Sequence, residues 1–118
     1  MKFSEGVESF LDLLREAESA YRISDATEQE ANARTQDYLH SLELESHTYH
    51  EYAAISKELV EIRQERRKAK DTMAVTALIC EWIENNNKTI KSLEHLLGEL
   101  RKTETKQENR FYVPKAKK

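Results

Sequence analysis

The feature that most constrains this sequence is a long stretch without Gly or Pro, between Gly6 and Gly98. Within it, apolar residues recur at steps of three, four or seven, the spacing of one face of an α-helix and close to the heptad repeat of coiled coils. The clearest run covers Tyr38, Leu42, Tyr49, Tyr52, Ile55, Leu59, Ile62, Ala69, Met73, Ala77 and Cys80. The pattern predicts an all-α fold organised around one long central helix.

A shorter helix is predicted to fold back on the first part of this central helix. It begins at Ser4, an N-cap candidate, and its apolar periodicity stops near Ile23. Asp25 and Glu28 then have the spacing of a capping box, which predicts a reversal and a new helix start. From about Thr27 the chain would continue as one helix into the 80s, roughly 85–90 Å long.

The last part of the chain predicts a second short helix. Residues 85–87 are three consecutive Asn, which favour a turn, and apolar residues recur at helical spacing after it. Residues 73–83 are apolar on several sides and therefore need covering, so we expect this third helix to pack back onto residues 66–84. Gly98 is interpreted as a point of close approach between helices. A break of the central helix at residues 71–72 is the alternative.

The predicted architecture is thus an elongated helical hairpin or coiled coil, with two shorter helices folded back on the ends of the central helix. Residues 1–108 would form a single helical domain, and residues 109–118 an extended basic tail. Nothing local would cover the middle of the central helix, where large apolar side chains continue. We therefore expect a homodimer, with an interface formed by Tyr49, Tyr52, Ile55, Leu59 and Ile62. A three-helix bundle made by kinking the central helix is the alternative.

Composition limits the class of protein. The chain has 118 residues, enough for one domain, and 35% of them are charged, as in coiled coils. Its lone cysteine, Cys80, suits a reducing compartment. No apolar run approaches the roughly 20 residues that span a bilayer, and residues 1–5 do not resemble a signal peptide. We expect a soluble, cytoplasmic protein without a membrane partner.

Charge is distributed unevenly along the chain. Residues 1–31 carry a formal charge of −5 and residues 32–62 carry −4, whereas residues 63–70 carry +4 and residues 71–118 carry +2. Residues 63–70 form a basic run that includes Arg63, Arg67 and Lys70. Arg66 lies on the apolar face of the predicted helix, where a charged side chain needs a partner. We expect the run to pair with acids of the third helix (Glu94, Glu99 or Glu104) or of a second chain. Contact with phosphates is the alternative.

Two further groups of residues could carry a function. Glu43, His47 and Glu51 would share one face of a continuous helix, with His50 beside them, but the Glu-x-x-His pairs of carboxylate-bridged metal bundles are absent. We interpret this group as a polar face and expect no metal or cofactor. In the tail, Phe111 and Tyr112 could dock on the bundle or contact a partner.

The sequence contains no nucleophile–base pair, glycine-rich phosphate loop or zinc signature, so we expect no enzyme. Several segments resemble small helical proteins encoded by phages and prophages of Gram-positive bacteria. These are residues 42–51, the basic run ending at Asp71, the turn and helix of residues 85–101, and residues 109–114. The resemblance implies an early phage product that acts by binding, as such products often inhibit host replication, transcription or defence. It implies a location in the cytoplasm of the host cell, and it assigns no functional residue.

These observations lead to one main hypothesis and two alternatives. The main hypothesis is a non-enzymatic helical protein that binds a host or phage protein, as a stoichiometric inhibitor of a defence or nucleic-acid-processing enzyme. Its protein-binding residues would be Tyr49, Tyr52, Arg63, Arg67, Lys70, Phe111 and Tyr112. The first alternative is a nucleic-acid-binding accessory protein that uses residues 63–70 and the tail. The second is a structural coiled-coil assembly factor.

Overall fold

The computed structural model describes residues 2–110, which form three α-helices. They are α1 (Phe3–Leu44), α2 (Tyr49–Asn85) and α3 (Asn87–Glu108). The radius of gyration is 26.0 Å, whereas a compact domain of this length would have about 13–14 Å. The prediction of an all-α, elongated helical hairpin is therefore confirmed.

The predicted position of the chain reversal is wrong. α1 continues without interruption through residues 23–28, and the chain reverses at residues 45–48 instead. The polar side chains taken as a new helix start bond within α1: Thr27 Oγ1 donates to the carbonyl of Ile23 at 2.9 Å, and Gln29 donates to Asp25 at 3.2 Å. Because α1 supplies the first half of the hairpin, the predicted continuous helix from residue 27 into the 80s is two antiparallel helices.

The reversal is placed by a capping box at the start of α2. Thr48 is the N-cap residue, and its Oγ1 accepts a hydrogen bond from the backbone N–H of Glu51 at 3.2 Å. In return, the Glu51 carboxylate accepts the backbone N–H of Thr48 at 3.3 Å. Two N–H groups that a helix start leaves without partners are thereby satisfied. A new helix consequently begins at residue 49.

α1 and α2 pack along a heptad seam in which steps of three and four alternate. In α1 its positions are Phe10, Leu14, Ala17, Tyr21, Ser24, Glu28, Ala31, Thr35, Tyr38 and Leu42. In α2 they are Tyr52, Ile55, Leu59, Ile62, Arg66, Ala69, Met73, Thr76, Cys80 and Ile83. All of them except Phe10 and Tyr52 are buried or half-buried.

The most deeply buried part of this seam is built largely from small residues. Ala17, Ala31, Ala69 and Thr76 are all buried, and the large side chains among the buried positions of the α1–α2 seam are Leu14 and Ile62. Because the spacing between packed helices depends on the side chains at their contact, these residues favour a close approach. A narrow seam leaves many large apolar side chains at the flanks of the hairpin.

α3 packs mainly against α1, and only the last turns of α2, at Ile79 and Ile83, share its apolar cluster, so its predicted docking along residues 66–84 is wrong. Leu97 is buried with Leu11 and Leu14 of α1, and Ile90 and Leu93 pack against the same cluster. A single residue, Asn86, separates α2 from α3, with φ −130° and ψ 31°. The contacts of α3 with α1 show that α3 runs in the same sense as α2, so the chain changes direction at Asn86 without reversing.

Polar contacts fasten the far end of α3 to the start of α1. Ser4, predicted as an N-cap, lies inside α1, where its buried Oγ donates to Glu104 at 2.5 Å. Arg101 and Glu8 form an ion pair at 3.1 Å, and Lys2 pairs with Glu108. Since the α1 partner moves toward the N-terminus as α3 advances, the two helices are antiparallel.

A Cβ atom built on Gly98 would meet nothing within 4 Å, so the predicted close helix approach at this residue is wrong. Within residues 2–110, no helix combines the length and the apolar character that crossing a membrane requires.

Candidate functional site

An apolar groove lies between α1 and α2 near the N-terminal end of α1. It encloses about 300 Å³ and is lined entirely by large apolar side chains. Phe10 and Trp82 meet across it edge to face, with ring centroids 6.2 Å apart and an interplanar angle of 85°. The lining residues are Phe10, Leu13, Leu14, Leu78, Ile79 and Trp82.

This groove is on the side of α1 that α3 does not cover. Leu11 packs against Leu97 of α3, whereas Leu13 lines the groove. Residues two apart in a helix point about 200° away from each other, so the two leucines face different sides of the hairpin. The same segment of the α1–α2 hairpin thus has one side covered by a helix and one side open.

On the open side, several neighbouring apolar side chains are exposed together, whereas exposed apolar side chains on a protein surface are normally scattered singly. Leu78 is 69% exposed and Leu13 is 50% exposed, and Trp82 is exposed despite its contact with Phe10. Val75, one turn before Leu78, is also exposed. Contiguous apolar surface of this kind is typical of sites that bind a protein or another apolar ligand.

The sequence indicated this site only in part. Residues 73–83 are apolar on several sides of the predicted helix, and this pattern predicted that something must cover the segment. Part of it is covered, since Ile79 and Ile83 pack against the cluster that contains Leu11 and Leu97. The contribution of Phe10 and Leu13 was missed, because only the hairpin brings α1 beside Trp82.

The two predicted binding tyrosines flank the hairpin turn. Tyr49, the first residue of α2, is 83% exposed. The ring of Tyr52 packs edge to face on His47, with centroids 5.2 Å apart. They lie at the opposite end of the hairpin from Trp82, so they are not part of the groove. Phe111 and Tyr112 lie outside the described residues.

The residues predicted to form a dimer interface are partly covered by α1. Ile62 is 1% exposed, and Ile55 and Leu59 are half-buried. The premise of that prediction, that nothing local buries these side chains, is wrong because residues 28–44 continue α1 alongside them. The homodimer itself stays a prediction.

The basic run lies on α2, and the predicted pairing with acids of α3 is wrong because α3 packs on α1. Arg66, on the seam, donates from Nε to Oδ1 of Asn32 at 2.7 Å. Arg63, Arg67 and Lys68 line an open surface depression with Val60 and Gln64, and Lys70 is exposed nearby. Of the acids expected to pair with this run, Glu104 instead binds Ser4, and Glu99 lies near Lys102.

His47 lies in the turn and connects the two helices of the hairpin. Its Nε2 is 3.0 Å from the carbonyl oxygen of Ser41, in the last turn of α1, and its Nδ1 is 3.1 Å from Oε2 of Glu51. The hydrogen bond to Glu51 and the one to the Ser41 carbonyl raise the pKa of His47. In turn, the hydrogen bond from His47 lowers the pKa of Glu51.

Glu43, His47 and Glu51 do not share a helix face, because α1 ends at Leu44 and His47 lies in the turn. Across residues 2–110, no group of three His, Cys, Asp or Glu side chains is arranged to hold a metal ion. The predicted polar face is therefore replaced by the contact between His47 and Glu51.

No protein-family model matches the sequence, and no curated protein and no solved structure shows significant similarity to it.

Proposed function

We propose that this protein acts by binding another protein, and that the groove beside Trp82 receives an amphipathic helix of that partner. The observation that carries the proposal is the open apolar side of the α1–α2 hairpin at Phe10, Leu13 and Leu78. Burying side chains of this size contributes roughly 1.5–3 kcal/mol each. A partner that covers them gains a large part of this free energy.

The chemistry of the partner follows from α3. On the other side of the same hairpin segment, α3 packs Ile90, Leu93 and Leu97, at steps of three and four, against Leu11 and Leu14. The open side offers similar apolar surface in a groove between two antiparallel helices. A partner helix with Leu or Ile at the same spacing would fit there as α3 does on the covered side.

In this proposal the protein works stoichiometrically and without catalysis. The resemblance to phage-encoded helical proteins favours inhibition of a host defence or nucleic-acid-processing enzyme as its setting. The apolar character of the groove supports association with a protein surface, because polynucleotide backbones are bound mainly by cationic side chains.

The test compares two substitutions of exposed leucines. Leu78→Asp places a charge in the groove, whereas Leu44→Asp places the same charge near the hairpin turn, where Leu44 is 79% exposed. Both variants should keep the helical circular dichroism and the thermal stability of the wild type. The three proteins are immobilised and incubated with lysate of the organism that makes the protein, and captured proteins are quantified.

We expect a protein that the wild type and Leu44→Asp capture and that Leu78→Asp loses. A peptide covering the helix of that protein should then shift the fluorescence of Trp82, the single tryptophan of the chain, to shorter wavelength. Capture that is insensitive to Leu78→Asp would overturn the proposal. So would a wild-type dimer in light scattering that Leu78→Asp converts to a monomer, because a second copy would then occupy the groove.

Nucleic-acid binding is a second candidate, favoured by the clustering of Arg63, Arg67 and Lys68 around one depression without a carboxylate among its lining residues. It predicts DNA or RNA affinity that falls steeply with salt and drops in an Arg63→Glu/Arg67→Glu double variant. Absence of a mobility shift at low salt would exclude it. The assembly-factor alternative predicts oligomers larger than a dimer in light scattering.

A further inference from the structure

The turn that closes the hairpin contains a titratable side chain held between two acceptors. The imidazole of His47 is only 8% exposed, although the turn is at the surface. One ring nitrogen faces the carbonyl oxygen of Ser41, at the C-terminal end of α1, and the other faces the Glu51 carboxylate, in the first turn of α2. The ring therefore bridges the two helices directly.

The protonation state of the ring decides how many of these contacts are hydrogen bonds. A neutral imidazole carries one N–H and can donate to only one of the two acceptors, whereas an imidazolium donates to both. Ser41 Oγ, 3.0 Å from Nε2, can donate to a neutral ring, but this leaves the Ser41 carbonyl without its imidazole donor. The protonated ring is thus the form that binds both helices.

The charges around the ring favour the same form. The charged groups that face it are Glu51 and, at 3.8 Å, Glu45, which follows α1. Tyr52 is the titratable aromatic residue packed on the ring. The Ser41 carbonyl also belongs to the C-terminal end of a helix, where the backbone dipole favours a cation.

We propose that His47 is a pH-dependent latch on the hairpin, which fastens α1 to α2 at the turn when the imidazole is protonated and releases it when the ring is neutral. The latch sets the relative position of Leu44 and Tyr49, the two strongly exposed apolar side chains on either side of the turn. It is independent of the proposed groove, which lies at the other end of the hairpin.

The pH range over which the latch stabilises the hairpin follows from the shifted pKa values of His47 and Glu51. The pKa of His47 is raised from 6.5, so the stability it contributes is complete below pH 6.5 and is lost as pH rises through the raised value. The pKa of Glu51 is lowered from 4.5, so its contribution is complete above pH 4.5 and is lost as pH falls through the lowered value. The stabilisation of the hairpin by the latch is therefore greatest between about pH 4.5 and 6.5.

The experiment measures hydrogen exchange of the backbone amides of residues 45–52 in the full chain between pH 5 and 8, corrected for intrinsic exchange rates. An NMR titration of the assigned His47 ring accompanies it. We expect the ring to titrate above pH 6.5 and the protection of these amides to fall several-fold as it loses its proton. His50→Gln, which alters the neighbouring exposed histidine, should behave as the wild type.

Two variants separate the latch from an ordinary loosening of the turn. His47→Gln should have protection that no longer changes over this range. Glu51→Gln keeps a residue suited to the capping box but removes the charge, so the loss of protection should move to lower pH. The proposal is overturned if His47 titrates at or below pH 6.5, if wild-type protection is constant from pH 5 to 8, or if His47→Gln retains the change.

Discussion

The Nε of Arg66 donates a hydrogen bond to the side-chain oxygen of Asn32, 2.7 Å away, and so joins α1 and α2 near the middle of the hairpin. Arg34 makes the reciprocal contact, with Glu58 at 3.6 Å and Glu65 at 3.9 Å. Of these residues, Glu58 lies in the segment for which the sequence predicted no local partner. The two helices therefore contact each other in the middle of the hairpin, and an apolar groove stays open near the C-terminal end of α2, beside Trp82.

Replacing Ile62 by Ala should destabilise the protein strongly. Ile62 is 1% exposed, and removing a buried Ile side chain leaves a cavity that costs about 2–5 kcal/mol. Val60→Ala is the control, because Val60 is 56% exposed on the same helix and should change the free energy of unfolding by less than about 0.5 kcal/mol. Urea unfolding followed by circular dichroism measures both. Equal effects of the two substitutions would contradict the burial of Ile62 by α1.

Enlarging a small seam residue should also destabilise the hairpin. Ala31 is 2% exposed in the seam, and a Leu there would push α1 and α2 apart, at a cost of about 1–3 kcal/mol. The matched control is Ala74→Leu, since Ala74 is exposed on α2 and its enlargement should be nearly neutral. Thermal unfolding distinguishes the two variants. A neutral Ala31→Leu would show that the helices are not closely packed at this point.

Replacing Gly98 by Ala should stabilise the protein. Glycine inside a helix costs roughly 0.5–1 kcal/mol relative to alanine, and a Cβ at this position of α3 would meet nothing within 4 Å. The midpoint of chemical unfolding should therefore rise without a change in its slope. A decrease in stability would mean that another surface, such as a second chain, approaches Gly98 closely.

The helical class and the α2 side of the seam could be predicted from the sequence because large apolar residues mark them. Tyr52, Ile55, Leu59 and Ile62 follow the heptad spacing without ambiguity. On α1 the matching positions include Ser24, Glu28 and Thr35, which are polar or small, so the apolar period ended visibly near Ile23. The seam nevertheless continues there, because a closely packed hairpin needs small side chains more than apolar ones.

The sequence contains a signal for the observed turn, but a second signal of the same kind competes with it. Thr48 and Glu51 have the spacing of a capping box, as do Asp25 and Glu28, where the sequence pattern predicts the reversal. The local sequence does not show which of the two capping boxes starts a new helix. The packing of α1 against α2 decides it, because only a turn at residues 45–48 gives both helices a partner over most of their length. The groove depends on this pairing and could not be predicted without it.

The most direct test of this account is a distance between spin labels at positions 30 and 64, both exposed, in a background where Cys80 is replaced by Ala. Labelled protein is mixed with an excess of unlabelled protein, so that pulsed dipolar spectroscopy reports distances within one chain. The hairpin places the two backbones on adjacent helices whose axes are about 8–10 Å apart, and we predict a correspondingly short label distance. A distance near 50 Å, as expected of roughly 34 residues in one continuous helix, would contradict the hairpin and the groove that depends on it.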